Sequence, residues 1–230
     1  MAEPWSASDP PLQPRPWRLQ EPPPLQVPPQ PQPLLLLLNR CDPLPPRQRQ
    51  GLLASLSPAE QQRHRAYRRP DDSDRFLLAR GGLRLLLAGW LGCDPAHVPL
   101  AAGAHGKPHC PAGPAFNLSH SGDLIVFAFH HRRAVGVDVE QLRPALDWQP
   151  IARRVLPEPQ QQALASLPAA AAREEFLQCW CRLEAELKAS GAGFSALERL
   201  RAGATAGPVR HWRLQLPEGY RGAVALMPLT

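Results

Sequence analysis

Residues 135–140 read Val-Gly-Val-Asp-Val-Glu. Strict alternation of this kind fits a strand, whose successive side chains point to opposite faces. The spacing sends Val135, Val137 and Val139 toward a core, and Gly136, Asp138 and Glu140 to the other face. Two carboxylates then stand side by side, next to a glycine that leaves room for a ligand. Carboxylates this close repel unless a cation lies between them. Mg²⁺ takes one or two protein carboxylates and completes its shell with waters and substrate phosphates. By itself the pattern equally describes an edge strand with one solvated face.

The chain has 230 residues, enough for one large domain or two small ones. Twelve of the first 33 residues are proline, with glutamines between them. That composition predicts a disordered or polyproline II tail over 1–33. The folded part is expected to start with a buried strand at Leu34–Leu38 and a helix at Gln48–Leu56. Ser57-Pro58-Ala59-Glu60 matches a capping box opening a basic helix through Arg69. Asp74 is placed to cap a long helix over Arg75–Leu91, and Gly103–Pro114 reads as loop. Strands are expected at Phe116–Leu118, Leu124–His130 and Ala134–Glu140; the last two are joined through His131–Arg133, a poor hairpin turn. Short helices follow at Ile151–Val155 and Pro159–Ser166, then a long helix at Ala170–Ser190 and closing strands at His211–Leu216 and Gly222–Met227. Each half thus holds strands and one long helix, a hint of duplication without visible identity between the halves.

The formal charge of +6 favours anionic partners without choosing among nucleic acid, acidic proteins and phosphorylated small molecules. Only two lysines occur, Lys107 and Lys188; every other cation of this class is arginine. Five cysteines with no CxxC spacing argue against a zinc site or a disulfide framework and suit a reducing cytoplasm. The five-leucine run is too short to span a membrane and makes a poor signal peptide.

Three further stretches carry chemistry. In Trp180–Lys188, helical spacing stacks Glu184 on Lys188 one turn apart; alone, this is also an ordinary surface ion pair. Phe116-Asn117-Leu118-Ser119-His120-Ser121-Gly122 runs polar groups from a strand into a glycine. Ser119 and His120 are suited to a phosphate, but neighbours on a strand face opposite ways and cannot form a nucleophile–base pair. Gly106-Lys107-Pro108 puts one lysine on a loop.

In order and spacing these stretches resemble the surfactin-type (Sfp) class of 4′-phosphopantetheinyl transferases. That family shows a GKP loop, then FNxSHS, G-[VI]-D-[VI]-E and W-x-x-K-E-x-x-x-K. The resemblance covers about residues 34–227 and departs at Leu183, where the family usually has lysine. It implies an α+β fold of two similar subdomains related by a pseudo-twofold axis, here 34–123 and 124–230, with coenzyme A in the cleft between them. It also implies that Asp138, Glu140 and Glu184 hold Mg²⁺ against the CoA diphosphate. Glu184 acts as general base on the serine of an apo acyl or peptidyl carrier protein, itself acidic, and Lys188 contacts the diphosphate. Ser119, His120, Lys107 and Pro108 serve the 3′-phosphate and adenosine end, joined by Arg75 and, more loosely, Arg63. A cytoplasmic monomer is expected, with no nucleic acid and no membrane among its partners.

Two other readings stand beside this one. A metal-dependent nuclease could use Asp138 with Glu186-x-Lys188, provided the latter lies on a strand. A non-catalytic CoA-binding or carrier-binding module would not need the intact Asp138, Glu140, Glu184 and Lys188.

Overall fold

Five consecutive leucines cannot alternate between core and solvent, so a strand built from them must be buried on both faces. That requirement sets the layering. The computed structural model describes residues 10–24, 31–103, 106–192 and 208–228. The first half holds β1 (Arg15–Pro16), β2 (Leu34–Asn39), α1 (Pro46–Ser55), α2 (Pro58–Ala66), α3 (Pro70–Leu91), short strands β3 (Ala101–Ala102) and β4 (Pro108–His109), β5 (Ala115–Ser121) and β6 (Leu124–His130). The second holds β7 (Arg133–Gln141), α4 (Gln149–Val155), α5 (Glu158–Ala165), α6 (Ala169–Ser190), β8 (Arg210–Arg213) and β9 (Tyr220–Pro228). The chain is a mixed α+β structure.

The strands form two main sheets, ordered β1-β2-β6-β5 and β7-β9-β8. Leu36 and Leu38 of β2, with Ile125, Phe127 and Phe129 of β6, pack against α1 and α3. The alternate residues Leu35, Val126 and Ala128 face the second sheet and join Val135, Val137, Val139, Trp212, Val224 and Leu226 in one inter-sheet core. The outer face of the second sheet is covered by α6, through Ala223, Ala225 and Met227 against Cys181, Ala185 and Ala189. The layers are therefore helix, sheet, sheet, helix.

Gly136 has a definite job in this stacking. A Cβ there would run into the backbone of α6 at Ala185 and Ala189. The glycine admits the helix, not a ligand as its place beside two carboxylates had suggested.

The element order repeats. In each half the first strand pairs with the last, which pairs with the one before it: β2-β6-β5 and β7-β9-β8. Each half also has two short helices before a 22-residue one. With this alignment the identity hidden in the sequence appears at an offset of 100 positions. Gln61 donates to Leu56 O at 3.1 Å and Gln161 to Leu156 O at 2.8 Å. Phe76 and Phe176, Leu77 and Leu177, and Leu87 and Leu187 are buried pairs on the two long helices.

Several expectations change. The capping box is present, with Ser57 Oγ accepting from Glu60 N and Glu60 Oε2 accepting from Ser57 N. Asp74, however, caps nothing: α3 begins a turn earlier at Pro70, because proline is well suited to the first helical turn. β6 and β7 make no hairpin; β7 pairs with β9. β6 belongs to the first sheet, so the sheets divide after His130 and not at 123/124. The tail expectation for 1–33 fails over residues 10–24. Arg15 and Pro16 pair in parallel with Leu36 and Leu37, and Trp17 is 3% exposed in the first core. Among the described residues no helix is long and apolar enough to cross a membrane.

Candidate active site

The two sheets meet along β5 and β7, and the joint is built from side chains. β9 takes one edge of β7. On the other edge Asn117 Oδ1 accepts from Val137 N at 3.0 Å, Ser119 Oγ from Val139 N at 3.3 Å, and Ser121 Oγ from Gln141 N at 3.1 Å. Three alternate β5 side chains thus stand in for a backbone ladder at Val137, Val139 and Gln141, giving these amides the partners that enclosed N–H groups need. This accounts for the polar alternation in Phe116–Ser121.

The same hydroxyls hold the carboxylates. Ser119 Oγ donates to Asp138 Oδ1 at 2.9 Å and Ser121 Oγ to Glu140 Oε2 at 2.7 Å. From α6, Lys188 Nζ donates to Asp138 Oδ1 at 2.6 Å and to Ser119 Oγ at 3.3 Å. Glu184, one turn before Lys188, is near enough for mutual repulsion: burial first, then Asp138 and Glu140, raises its pKa, while Lys188 opposes. Glu140 is raised too, by burial above all and by Asp138, against the hydrogen bond from Ser121. Asp138 is 3% exposed, and among the described residues its Oδ2 has no hydrogen-bond partner within normal geometry, although the nearby Cys181 thiol feels the carboxylate and its pKa is raised by it. Three carboxylates and an ammonium therefore converge between β5, β7 and α6.

Residues 134–216, which take in β7 from its second residue and all of α6, match the 4′-phosphopantetheinyl transferase superfamily. The 4′-phosphopantetheinyl transferase HetI of Nostoc sp. is 37% identical over 161 residues, 68% of each chain. The chain belongs to the 4′-phosphopantetheinyl transferase superfamily. Protein slr0495 of Synechocystis sp. is 33% identical over 198 residues, 80% of this chain and 79% of that one. The 4′-phosphopantetheinyl transferase of Bacillus subtilis is 29% identical over 156 residues, 66% of this chain and 68% of that one.

Does this transferase have donors for the Mg²⁺ that the resemblance implies? Among the described residues no three His, Cys, Asp or Glu groups gather closely enough to hold a metal by themselves. Mg²⁺ does not require that, since it keeps waters and substrate phosphates in its shell. The buried, unpartnered Asp138 Oδ2 is a hard oxygen donor of the right kind, with Glu140 and Glu184 beside it. The residues fit the ion.

The other expected contacts divide. Arg75 donates to Gly122 O at 3.0 Å, next to His120, and pairs with Asp72. His120 is exposed at the surface, yet the surrounding protein lowers its pKa, and the charges of Arg75 and Lys188 add to this. The two residues are near enough for the Arg75 charge to act on His120. Ser119 is buried in the joint, where it serves Asp138 and Val139 N, and does not present a free hydroxyl. Arg63 lies over the Phe76 ring, 5.3 Å from its centre. Pro108 pairs with Ala102 in a two-stranded ribbon.

Lys107 departs most. Its Nζ donates to Val135 O at 3.1 Å and Ala189 O at 3.2 Å. It clamps the glycine-rich loop to β7 and to the carbonyl end of α6, where a cation suits the helix dipole. Burial pulls its pKa to about 8.

Glu186 and Lys188 lie on a helix, so the strand that the nuclease reading requires is not there. Glu186 is not on the surface either: it is 9% exposed and meets His211 Nε2 at 3.0 Å on the far side of α6. Sequence reasoning assigned no role to Asn117 or Ser121. Their signal was the alternation with Ser119.

Proposed function

We propose that this transferase moves the 4′-phosphopantetheine arm of coenzyme A onto a serine of an apo acyl or peptidyl carrier protein, in the manner of the surfactin-type class. The observation that carries the proposal is the convergence of Asp138, Glu140, Glu184 and Lys188 on one joint between the sheets. Asp138, Glu140 and Glu184 are the residues to hold Mg²⁺, which when bound neutralises diphosphate charge. Glu184 takes the proton of the carrier serine. The serine oxygen bonds to the β-phosphorus, the bridging P–O bond breaks, and 3′,5′-ADP leaves. Lys188 bears on the diphosphate. Such transfer depends on positioning and charge neutralisation, so no covalent enzyme intermediate is needed.

In this reading the repeated element order reflects a pseudo-twofold pair of subdomains, with CoA held where their sheets meet. Both halves lie in one chain, which is consistent with a monomer, and the basic charge of +6 with an acidic carrier. The five cysteines, all free thiols, suit the cytoplasm. The decisive assay incubates the protein with CoA, Mg²⁺ and an apo acyl carrier protein, then weighs the carrier by mass spectrometry; an unmodified carrier defeats the proposal.

Arg75 and His120 are the groups assigned to the 3′-phosphate. Hydrogen bonds to charged groups contribute about 1.5–3 kcal/mol. Dephospho-CoA, which lacks that phosphate, is therefore expected to bind roughly tenfold or more weakly than CoA by calorimetry. Equal affinities would remove both residues from this role.

A further inference from the structure

The turn between β5 and β6 is held from both halves of the molecule. Ser121 Oγ donates to Glu140 Oε2 at 2.7 Å and accepts from Gln141 N at 3.1 Å. The next carbonyl, Gly122 O, accepts from Arg75 at 3.0 Å. Gly122 has φ 55°, and a Cβ there would also press on Gln141 Oε1 at 2.7 Å. Asp123 N then donates to Tyr220 Oη at 3.0 Å, and the Asp123 carboxylate takes Arg40 at 2.6 Å. Three consecutive residues are thus fixed by Arg40 and Arg75 on one side and by Glu140, Gln141 and Tyr220 on the other.

Ser121 is 6% exposed, so it is too enclosed to meet a substrate itself. Its hydroxyl engages one oxygen of a half-buried carboxylate whose neighbour Asp138 repels it. We infer that Ser121 is a positioning residue, which sets the Glu140 carboxylate for the cation and ties that setting to the turn carrying the Arg75 contact. The inference rests on the proposed function, since it assumes that Glu140 serves a divalent ion. Partners that orient metal ligands typically contribute 10–100-fold to metal affinity.

Asn117 supplies the control within the same joint. It bonds Val137 N as Ser121 bonds Gln141 N, and among the described residues no carboxylate hydrogen bond accompanies it. The test is Mn²⁺ binding followed by electron paramagnetic resonance at saturating CoA, alongside thermal melts. Ser121→Ala is expected to bind Mn²⁺ about 10–100-fold more weakly. Ser121→Thr, which keeps the hydroxyl, restores binding. Asn117→Ala lowers the melting temperature while leaving Mn²⁺ affinity near wild type. If the alanine variant does not fold, Ser121→Cys keeps the volume, weakens the donor, and is read the same way. Unchanged affinity in Ser121→Ala overturns the inference, and so does an equal loss in Asn117→Ala, which would make the whole joint merely structural. Undiminished Mn²⁺ binding by Asp138→Ala overturns instead the carboxylate assignment under the proposed function, and the inference falls with it.

Discussion

Glu184→Gln is expected to lower single-turnover transfer to an apo acyl carrier protein by about 10²–10⁴-fold, the usual loss when a general base is removed. The substitution is nearly isosteric, so it changes charge and basicity far more than packing. Burial, with Asp138 and Glu140 nearby, raises the Glu184 pKa, while Lys188 opposes. CoA affinity should fall much less, because Lys188, Arg75 and His120 are untouched. The companion variant is Glu186→Gln, two positions along on the opposite face of α6. It weakens the contact with His211 and the attraction to Arg182 one turn before it, and a glutamine can still hydrogen-bond to His211. Its expected cost is about 1 kcal/mol of stability, with turnover close to wild type. A dead Glu186→Gln beside an active Glu184→Gln would reverse the assignment of this helix.

The contrast between these two glutamates shows what a sequence can and cannot disclose. Helical spacing alone separates the faces of Glu184 and Glu186, and Glu184 does share a face with Lys188. Spacing says nothing of what lies behind the helix, and Glu186 is buried against β8. The alternation at 135–140 likewise gave the faces of β7 correctly, yet not what packs on them. Gly136 faces α6 backbone, and only the three-dimensional approach of the helix reveals that. The Phe116–Ser121 stretch was recognisable as polar chemistry on a strand. That its side chains replace a ladder to β7 depends on two sheets meeting edge to edge, a long-range fact. Lys107 is a similar case: a lysine on a glycine-rich loop suggests a phosphate, but its reach ends on two carbonyl oxygens. The internal repeat was legible only after the strand orders were known, because most of its matched positions are leucines that any core would use.

Trp17→Ala is expected to lower the melting temperature by about 6–20 °C. A buried Trp→Ala change costs about 3–5 kcal/mol. In a protein of this size each kcal/mol moves the midpoint by about 2–4 °C. Trp17 sits edge-on to Phe127, with ring centres 6.0 Å apart, and lies against Gly82 of α3. Its amide donates to Leu37 O at 2.8 Å. Averaged over 33 residues, the composition suggests a segment unable to pack. Yet proline is tolerated at a sheet edge, where its missing N–H costs no ladder bond, and Pro16 occupies such an edge beside β2. The segment also reaches the second sheet. Leu12 N donates to Arg213 O at 2.9 Å, and Gln215 N donates to Leu12 O at 2.8 Å. It therefore straps together edges of both sheets, on strands other than the β5–β7 joint. Deleting residues 1–24 removes both attachments and should destabilise more than Trp17→Ala. Arg15→Ala, an exposed change on the same strand, should stay within about 0.5 kcal/mol of wild type. Differential scanning calorimetry on the three variants separates the cases: a deletion that melts with the wild type would show that the strap contributes nothing to the fold.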